Sequence, residues 1–245
     1  MPADTIAALQ PRWRKDAFPQ TPDSAIEREG KTRWTNVLEP DLAARLYEWV
    51  RAFDGWTTSL QQNGTHYTVT AEQRRALDTT TRQQLHHAAC AQAARGFGYH
   101  FDSFPIDDAL AAHVCPPELR AVHELINSSG FLATMRRLLK APDIAFADCQ
   151  LTRFGPGDFL TAHDDDVAGK NRVAAYVLSL TPNWRIDFGG MLCFHDEETQ
   201  RATGLSPLFN ALSVFTVPRR HSVSAVAPYA NRYRYSFTGW LRKKR

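Results

Sequence analysis

Hydrophobic and polar positions follow different periods in the two parts of this 245-residue chain. In the first part, apolar residues recur three and four positions apart, as in Leu42, Leu46 and Val50, which is typical of one helix face. This spacing predicts helices over residues 41–53, 79–95, 117–126 and 131–139. Asn63-Gly64 between two β-prone runs predicts a hairpin, and residues 1–35 are expected to form an irregular arm.

From Ile144 onward the pattern changes to short β-prone runs separated by turn residues. The predicted strands cover residues 146–154, 159–163, 172–180, 190–194, 211–217, 222–227 and 233–240. Many short strands with turns between them favour a double-sheet jelly roll or a barrel. We therefore expect one α+β domain over residues 1–245, in which the helices of residues 1–143 pack on one sheet face and residues 144–242 form the β core.

Composition and charge exclude several classes of protein. The chain is 43% hydrophobic and 22% charged, which is ordinary for a globular protein and argues against wholesale disorder. A net charge of +3 is too small to indicate a nucleic-acid partner. The basic run Arg242-Lys243-Lys244-Arg245 is interpreted as a solvated end.

Cysteine usage and hydropathy predict a cytoplasmic protein without a membrane segment. The four cysteines are far apart and form no C-x-x-C pair, which argues against a zinc knuckle or a disulfide framework. Residues 1–20 lack the apolar run of a signal peptide. The chain contains no stretch near the ~20 apolar residues that span a bilayer. The oligomeric state is left open.

Three side chains form a candidate metal site. His163 and Asp165 are two residues apart, so on a strand both would point to the same face. His221, on a later strand, would complete a set of two histidines and one carboxylate, the ligand pattern of non-haem Fe(II) oxygenases. The alternative is a chance H-x-D within the solvated acidic turn Asp164-Asp165-Asp166.

A candidate anion-binding arginine lies near the C-terminus. The planar guanidinium of Arg234 can bind a carboxylate through two parallel hydrogen bonds, and Ser236 would add a hydroxyl on the same strand face. Arg232 shares the strand parity of Arg234. Periodicity alone therefore does not choose between the two arginines, and a surface strand is the alternative reading.

Residues 150–240 resemble the catalytic domain of 2-oxoglutarate and Fe(II)-dependent dioxygenases of the prolyl hydroxylase superfamily. Within that superfamily, they are most similar to the group that contains the ribosomal prolyl hydroxylases. Spaced motifs carry the resemblance: Leu151–Leu160 leading into His163-Asp164-Asp165, Arg172-Val173, Tyr176–Leu180, Trp184, Gly189–Leu192, Asn210, Phe215–Val217, His221–Val223 and Arg234–Trp240.

The resemblance implies a double-stranded β-helix core, with Fe(II) bound by His163, Asp165 and His221. It implies that 2-oxoglutarate is bound by Arg234 rather than Arg232, together with Ser236 and Tyr176. Ascorbate is a candidate reductant. The implied reaction is hydroxylation of a prolyl or other residue in a protein or peptide, with formation of succinate and CO2.

The chain departs from the family pattern at Phe154, where many members have tyrosine, so one hydroxyl to the cosubstrate is missing. Eukaryotic ribosomal hydroxylases also carry a second, non-catalytic domain that residues 1–245 do not include, which weighs against a ribosomal substrate. Two alternatives stay open: the same chemistry on a free amino acid or other small metabolite, and a non-catalytic binding module that retains the barrel.

Several other residues receive provisional roles. Residues 56–67 are a candidate lid over the barrel mouth, with an ordinary surface hairpin as the alternative. Gly189-Gly190 is expected to allow close backbone approach near the pocket. Trp184 and Trp240 are interpreted as core or pocket-wall aromatics. The histidines outside the triad, such as His86 and His195, are expected to be structural or exposed.

Overall fold

The structure, a computed structural model, describes residues 12–244. The helices are α1 Ser24–Glu29, α2 Pro40–Ala52, α3 Ala71–Ala76, α4 Thr79–Ala93, α5 Ile106–Ala111, α6 Pro117–Ile126 and α7 Ser129–Leu138. The strands are β1 Lys31–Thr35, β2 Thr57–Gln62, β3 Thr65–Val69, β4 Tyr99–Pro105, β5 Ile144–Ala147, β6 Gln150–Phe154, β7 Phe159–His163, β8 Arg172–Ser179, β9 Leu192–Asp196, β10 Arg201–Leu205, β11 Ala211–Thr216, β12 His221–Val223 and β13 Arg234–Lys243.

The strands join into one curled antiparallel sheet. Its order is β1-β11-β8-β13-β6-β4-β7-β12-β9-β10, with the β2–β3 hairpin paired to β4 and with β5 paired to β13. The sheet bends so that β7, β12 and β9 face β8, β11 and β13 across an interior lined by Ala175, Leu192 and Phe215. This is the predicted α+β fold with a jelly-roll core.

The helices cover the outer face of the larger half of the sheet, as expected. Leu46 of α2, Leu119 of α6 and Met135 of α7 are buried in the same cluster as Leu178 of β8 and Phe237 of β13. Alternate residues of each strand therefore point to the helices, and the residues between them point into the barrel. This alternation decides which side chains can reach the site.

The four predicted helices are confirmed as α2, α4, α6 and α7, with ends shifted by a few residues. The hairpin prediction is also confirmed: β2 and β3 pair with Gln62 opposite Thr65. Its two turn residues, Asn63 and Gly64, both have positive φ, at 51° and 76°. Such angles define a two-residue turn whose twist matches the flanking strands.

The irregular arm expected over residues 1–35 is confirmed for residues 12–23 but is wrong for residues 24–35, which form α1 and β1; residues 1–11 lie outside the described residues. Asp23 accepts hydrogen bonds from the first-turn amides of α1, which starts that short helix. Strand β1 then pairs with β11 at the edge of the sheet. Because β1 is largely polar, its sequence shows no hydrophobic alternation.

The first half is also less helical than predicted, because it contributes β1 to β4 to the sheet. In the second half, the single strand expected over residues 146–154 is two strands, β5 and β6, and β10 was missed. The two strands are separated at Asp148 and Cys149. There the amide of Asp148 donates to Trp240 O, and the amide of Cys149 donates to the Asp107 carboxylate.

The C-terminal basic run is not simply a solvated end. Arg242 lies in β13, with its Nη1 3.0 Å from Asp148 Oδ1, and Lys243 Nζ is 2.6 Å from Asp143 Oδ2. Arg245 lies outside the described residues. Within residues 12–244, no helix combines the length and the apolar character needed to cross a bilayer.

Candidate metal centre and cosubstrate pocket

Two adjacent strands bring the candidate histidines together. Strand β12 pairs antiparallel with β7, and His221 stands directly opposite His163 in the register. The two imidazole ring centroids are 4.1 Å apart. Cross-strand neighbours have Cβ atoms about 5 Å apart, so a histidine pair at this position can share one ligand.

Asp165 joins the two histidines, but not by the strand geometry expected from the sequence. Strand β7 ends at His163, and Asp165 lies in the following loop with a φ of 66°. This left-handed turn points its carboxylate back at the histidines, with Oδ1 3.5 Å from His163 Nε2 and Oδ2 3.4 Å from His221 Nε2. The residues meet as predicted, whereas the argument from a shared strand face is wrong.

The outer ring nitrogens of both histidines are held by the backbone. His163 Nδ1 lies 3.0 Å from Thr161 O, and His221 Nδ1 lies 2.7 Å from Arg219 O. A carbonyl oxygen only accepts hydrogen bonds, so each Nδ1 carries the proton and each Nε2 presents a lone pair toward Asp165. This is the protonation state that a metal ion requires of imidazole ligands.

Burial sets the charges of this group. It lowers the pKa of His221 to about 4, and the nearby charge of His163 acts in the same direction. Burial acts to raise the pKa of Asp165, but the neighbouring His163 and His221 outweigh it and hold the pKa below its usual value. At neutral pH, a neutral His221 therefore faces an ionised carboxylate.

These three residues fit a divalent metal ion. One ligand atom from each of His163, Asp165 and His221 lies within 4.8 Å of the others. Two imidazole nitrogens and one carboxylate oxygen on one side of an ion leave the other coordination positions open. Among the described residues, no other group of three such side chains converges in this way.

Arg172, to which the sequence analysis assigns no role, supports Asp165. Its Nη1 donates to Asp165 O at 3.0 Å and lies 3.6 Å from Asp165 Oδ1. Its guanidinium carbon lies 3.5 Å from the centroid of the Trp240 ring. Arg172 thus clamps the loop after β7, and Trp240 forms a wall of the site as expected.

A narrow cavity of about 90 Å³ leads from the three metal-site residues into the barrel. Arg234 stands along its wall and is only 3% exposed, whereas Arg232 is exposed at the surface. Arg234 Nε makes no hydrogen bond, and no carboxylate of residues 12–244 forms an ion pair with this guanidinium. The geometry therefore distinguishes between the two arginines, which the periodicity did not.

Arg234 keeps its charge although its side chain is buried. Burial lowers the pKa of Arg234 to about 10, and the positive charge of Arg33 on β1 adds to this effect. A buried unpaired cation is costly, by several kcal/mol. An anionic ligand that reaches Arg234 would remove this cost, and a carboxylate matches its planar donor geometry.

Two buried serine hydroxyl groups lie on the same side of the sheet as Arg234. Ser236 is fully buried and shares the strand face of Arg234, and it stands opposite Ser179 of β8. Neither serine hydroxyl has a hydrogen-bond partner among the described residues. Both can donate to an anion held by Arg234. Ser179 was missed by the sequence interpretation, although its strand parity was visible.

The cosubstrate role expected for Tyr176 is wrong on this geometry. Tyr176 points to the helix-facing side of β8, where it is buried in the main core. Its hydroxyl donates to Asp148 O at 2.7 Å. Its neighbours Ala175 and Val177, one position away on either side, line the cavity instead. The alternation of side chains along a strand therefore excludes Tyr176 from the cavity.

Phe154 lies beside Arg234 and lacks the expected hydroxyl. The two are paired across β6 and β13, with the guanidinium carbon 5.2 Å from the ring centroid. The Phe154 ring also stacks on Phe101, with centroids 4.9 Å apart. An aromatic face thus replaces a hydrogen-bonding group, and Arg234 and the two serines supply the polar contacts.

Gly189 and Gly190 allow the close backbone approach that was expected. Both have positive φ, at 69° and 61°. A Cβ atom at Gly189 would collide with Ala225 O, and one at Gly190 would lie 3.4 Å from Arg234 Cδ. Trp184 Nε1 donates to Gly189 O at 3.0 Å, so this tryptophan packs beside the pocket as expected.

A wider groove of about 640 Å³ opens over the metal site. It shares His163, Asp165 and Trp240 with the inner cavity. Its walls come from the β2–β3 hairpin, from β4 and from the loop after β7. The site therefore has a narrow inner compartment and an open outer one, which meet at His163 and Asp165.

Comparison with known proteins agrees with this arrangement. Residues 149–242 match the model of the 2OG-Fe(II) oxygenase superfamily. No curated protein matches the chain by sequence.

Solved structures share the fold at low sequence identity. A prolyl-4-hydroxylase from Pseudomonas putida is 19% identical, with a TM-score of 0.52 over 98% of this chain and 96% of its own. A 2OG-Fe(II) oxygenase family oxidoreductase from Burkholderia pseudomallei is 12% identical, with a TM-score of 0.57 over 90% of this chain and 89% of its own. The α-ketoglutarate-dependent epimerase SnoN from nogalamycin biosynthesis is 12% identical, with a TM-score of 0.54 over 90% and 81%.

Residues 149–242 are thus similar to the 2OG-Fe(II) oxygenase superfamily, and the convergence of His163, Asp165 and His221 agrees with that similarity. The superfamily implies Fe(II) and 2-oxoglutarate as cofactors, and the three converging side chains and the buried arginine fit both. The neighbours carry out different reactions on one fold, so the fold alone does not give the substrate.

Proposed function

We propose that this protein is an Fe(II)- and 2-oxoglutarate-dependent hydroxylase of a prolyl or other residue in a protein or peptide. The observation that carries the proposal is the unpaired, buried Arg234 in a narrow cavity that also reaches three metal-binding side chains. A ligand that suits both needs a carboxylate for the arginine and further oxygen donors for the metal. 2-Oxoglutarate has both.

His163, Asp165 and His221 would hold Fe(II). Arg234 and Ser236 would bind the far carboxylate of 2-oxoglutarate, with Ser179 beside them. When bound, iron and 2-oxoglutarate supply the oxidising chemistry that converts O2 and the keto acid to succinate and CO2 and transfers one oxygen atom to the substrate. The apolar walls Phe101, Phe154 and Leu192 exclude water from that compartment.

The outer groove supports a peptide rather than a small metabolite. Sites for small ligands bury most of the ligand surface, whereas this groove is open and has Phe97 and Val167 exposed along it. The β2–β3 hairpin contributes Ser59, His66 and Thr68 to one wall. We propose that this hairpin, the candidate lid, contacts the substrate.

The proposal is tested by reconstituting the protein with Fe(II) and 2-oxoglutarate without oxygen, adding candidate peptides, and then admitting air. Ascorbate is included as the candidate reductant. We expect succinate to form and one peptide to gain the mass of one oxygen atom. A free amino acid that gains the oxygen while all peptides stay unchanged would favour the metabolite alternative. Failure to form succinate under any condition would favour a non-catalytic module.

A further inference from the structure

The outer groove has two chemically distinct borders. One border is aromatic and comes from β4 and the residues just before it, and the other is acidic and comes mainly from the loop after β7. His163 and Asp165 form the floor between them. A substrate that reaches the metal must therefore pass between π faces and carboxylates.

The aromatic border is a row of rings at alternate positions. Phe97 and Tyr99 have ring centroids 5.5 Å apart, and Tyr99 and Phe101 have centroids 5.8 Å apart. Phe97 is 42% exposed and its ring lies 5.6 Å from that of His163. The hydroxyl of Tyr99 is fixed by His66 Nδ1 at 2.7 Å. Ring faces held in place beside a groove attract cations as well as apolar groups.

The acidic border consists of Asp164 and Asp166 in the loop after β7, and a third carboxylate that lines the groove, Asp108, belongs to α5, which directly follows β4; all three residues are exposed. None of the three forms an ion pair with a described basic residue, although thirteen pairs between a lysine or arginine and a carboxylate occur in residues 12–244. Asp164 Oδ1 accepts a hydrogen bond from the amide of Asp166 at 3.1 Å, which fixes the loop.

These negative charges are not neutralised from within the groove. Arg172 is the one lysine or arginine among its described lining residues. Arg172 is already committed to Asp165 and to the face of Trp240. Three free carboxylates and a row of rings therefore line the groove that leads to His163 and Asp165. Charge complementarity of this kind selects partners and speeds their encounter.

We propose that the substrate is a peptide segment that carries lysine or arginine next to the residue presented to the metal. The inference rests on the proposed function, because it places that residue at the His163–Asp165 floor. The cationic side chains lie against the carboxylates of Asp108, Asp164 and Asp166, and their aliphatic parts pack on Phe97 and Tyr99. An acidic segment is repelled from the same groove.

The test measures binding without turnover. Three fluorescent nine-residue peptides carry a central proline flanked on both sides by lysine, glutamine or glutamate. Their binding to the protein with Fe(II) and 2-oxoglutarate under anaerobic conditions is read as fluorescence anisotropy. We expect the lysine peptide to bind about tenfold more tightly than the glutamine peptide and the glutamate peptide to bind least, because several exposed charge pairs each add a small contribution to binding.

The triple variant Asp108→Asn, Asp164→Asn, Asp166→Asn removes the charges and keeps side-chain shape and the loop hydrogen bond. We expect it to lose the preference for lysine. The lysine and glutamine peptides should then bind within about twofold of each other, because only contacts that do not depend on charge still distinguish them. Glu198→Gln, an exposed carboxylate outside the groove, is the control and should keep the preference.

A second measurement tests the inference even if the triple variant does not fold. Binding of the lysine peptide to the unaltered protein should weaken steeply between low and high salt, because exposed charges are screened. Equal binding of all three peptides, or salt-independent binding of the lysine peptide, overturns the inference. Because these readings need no turnover, they are separate from succinate formation, on which the proposed chemistry depends.

Discussion

His163 and His221 face each other across β7 and β12 with their Nδ1 atoms bonded to backbone carbonyls and their Nε2 atoms turned toward Asp165. The backbone thus fixes both the ring orientation and the proton position before any metal binds. Such hydrogen bonds to ligand histidines make metal binding stronger.

Removing one candidate ligand should remove the metal. We expect His163→Ala or Asp165→Ala to lower the Fe(II) affinity by more than about 100-fold. Loss of a hydrogen-bond partner of a metal ligand already lowers the affinity by up to about 100-fold, and loss of the ligand itself should cost more. Metal content after dialysis and succinate formation report the effect. The exposed His87→Ala on α4 is the control and should bind metal normally. Full metal occupancy in either ligand variant would contradict the assignment.

Replacing Arg234 with lysine should weaken 2-oxoglutarate binding. A lysine ammonium keeps the charge but loses the planar pair of donors, and a hydrogen bond to a charged group contributes about 1.5–3 kcal/mol. We expect the Kd for 2-oxoglutarate to rise by about 10- to 100-fold, as measured by calorimetry on the metal-loaded protein. Arg232→Lys is the matched control, and a larger effect there would reverse the choice between the two arginines.

Replacing Arg234 with methionine should stabilise the protein without ligand. The side chain is a buried cation without an ion-pair partner among the described residues, and apolar replacement of buried charge often gains about 1–4 kcal/mol. Thermal unfolding should show a higher Tm than for the unaltered protein. Added 2-oxoglutarate should raise the Tm of the unaltered protein only. A destabilised variant would show that Arg234 holds the fold rather than the ligand.

Because Tyr176 lies outside the cavity, replacing it should lower the stability of the protein without changing its affinity for 2-oxoglutarate. Tyr176→Phe removes the hydrogen bond to Asp148 O and leaves a buried carbonyl, so we expect a loss of about 1–3 kcal/mol in the free energy of unfolding. The Kd for 2-oxoglutarate should stay unchanged, because the hydroxyl lies on the other side of β8. Denaturant unfolding and calorimetry separate the two effects. A weaker affinity with unchanged stability would place the hydroxyl in the cavity.

Shortening the β2–β3 hairpin should affect the substrate alone. Deletion of residues 61–65 removes the tip of the groove wall, while the metal-site residues and Arg234 lie on other strands. We expect peptide hydroxylation to fall by at least about tenfold through lost binding contacts, with metal and 2-oxoglutarate binding retained. Asn63→Asp keeps the hairpin turn and serves as the control. Unchanged turnover of the substrate would reject a role for the hairpin.

Local patterns explain which elements could be predicted. Helices α2, α4, α6 and α7 have N-terminal capping or proline signals, or an apolar face, and such features can be recognised in the local sequence. Strand β1 and strand β10 are polar edge strands whose stability comes from pairing with β11 and β9, so nothing local marks them. Strand β4 could have been found, because Phe97, Tyr99 and Phe101 alternate with period two.

The sequence by itself determined the candidate donor groups of the site: two histidines and an aspartate that could bind a metal, and an arginine and a serine that could bind a carboxylate. Residue types and their order along the chain carry that information, because a given chemistry needs particular donor atoms. Only the tertiary structure decided how the groups meet. The left-handed turn at Asp165, the outward face of Tyr176 and the burial of Arg234 without an ion-pair partner all depend on strand ends, register and distant neighbours, which one residue's local sequence does not specify.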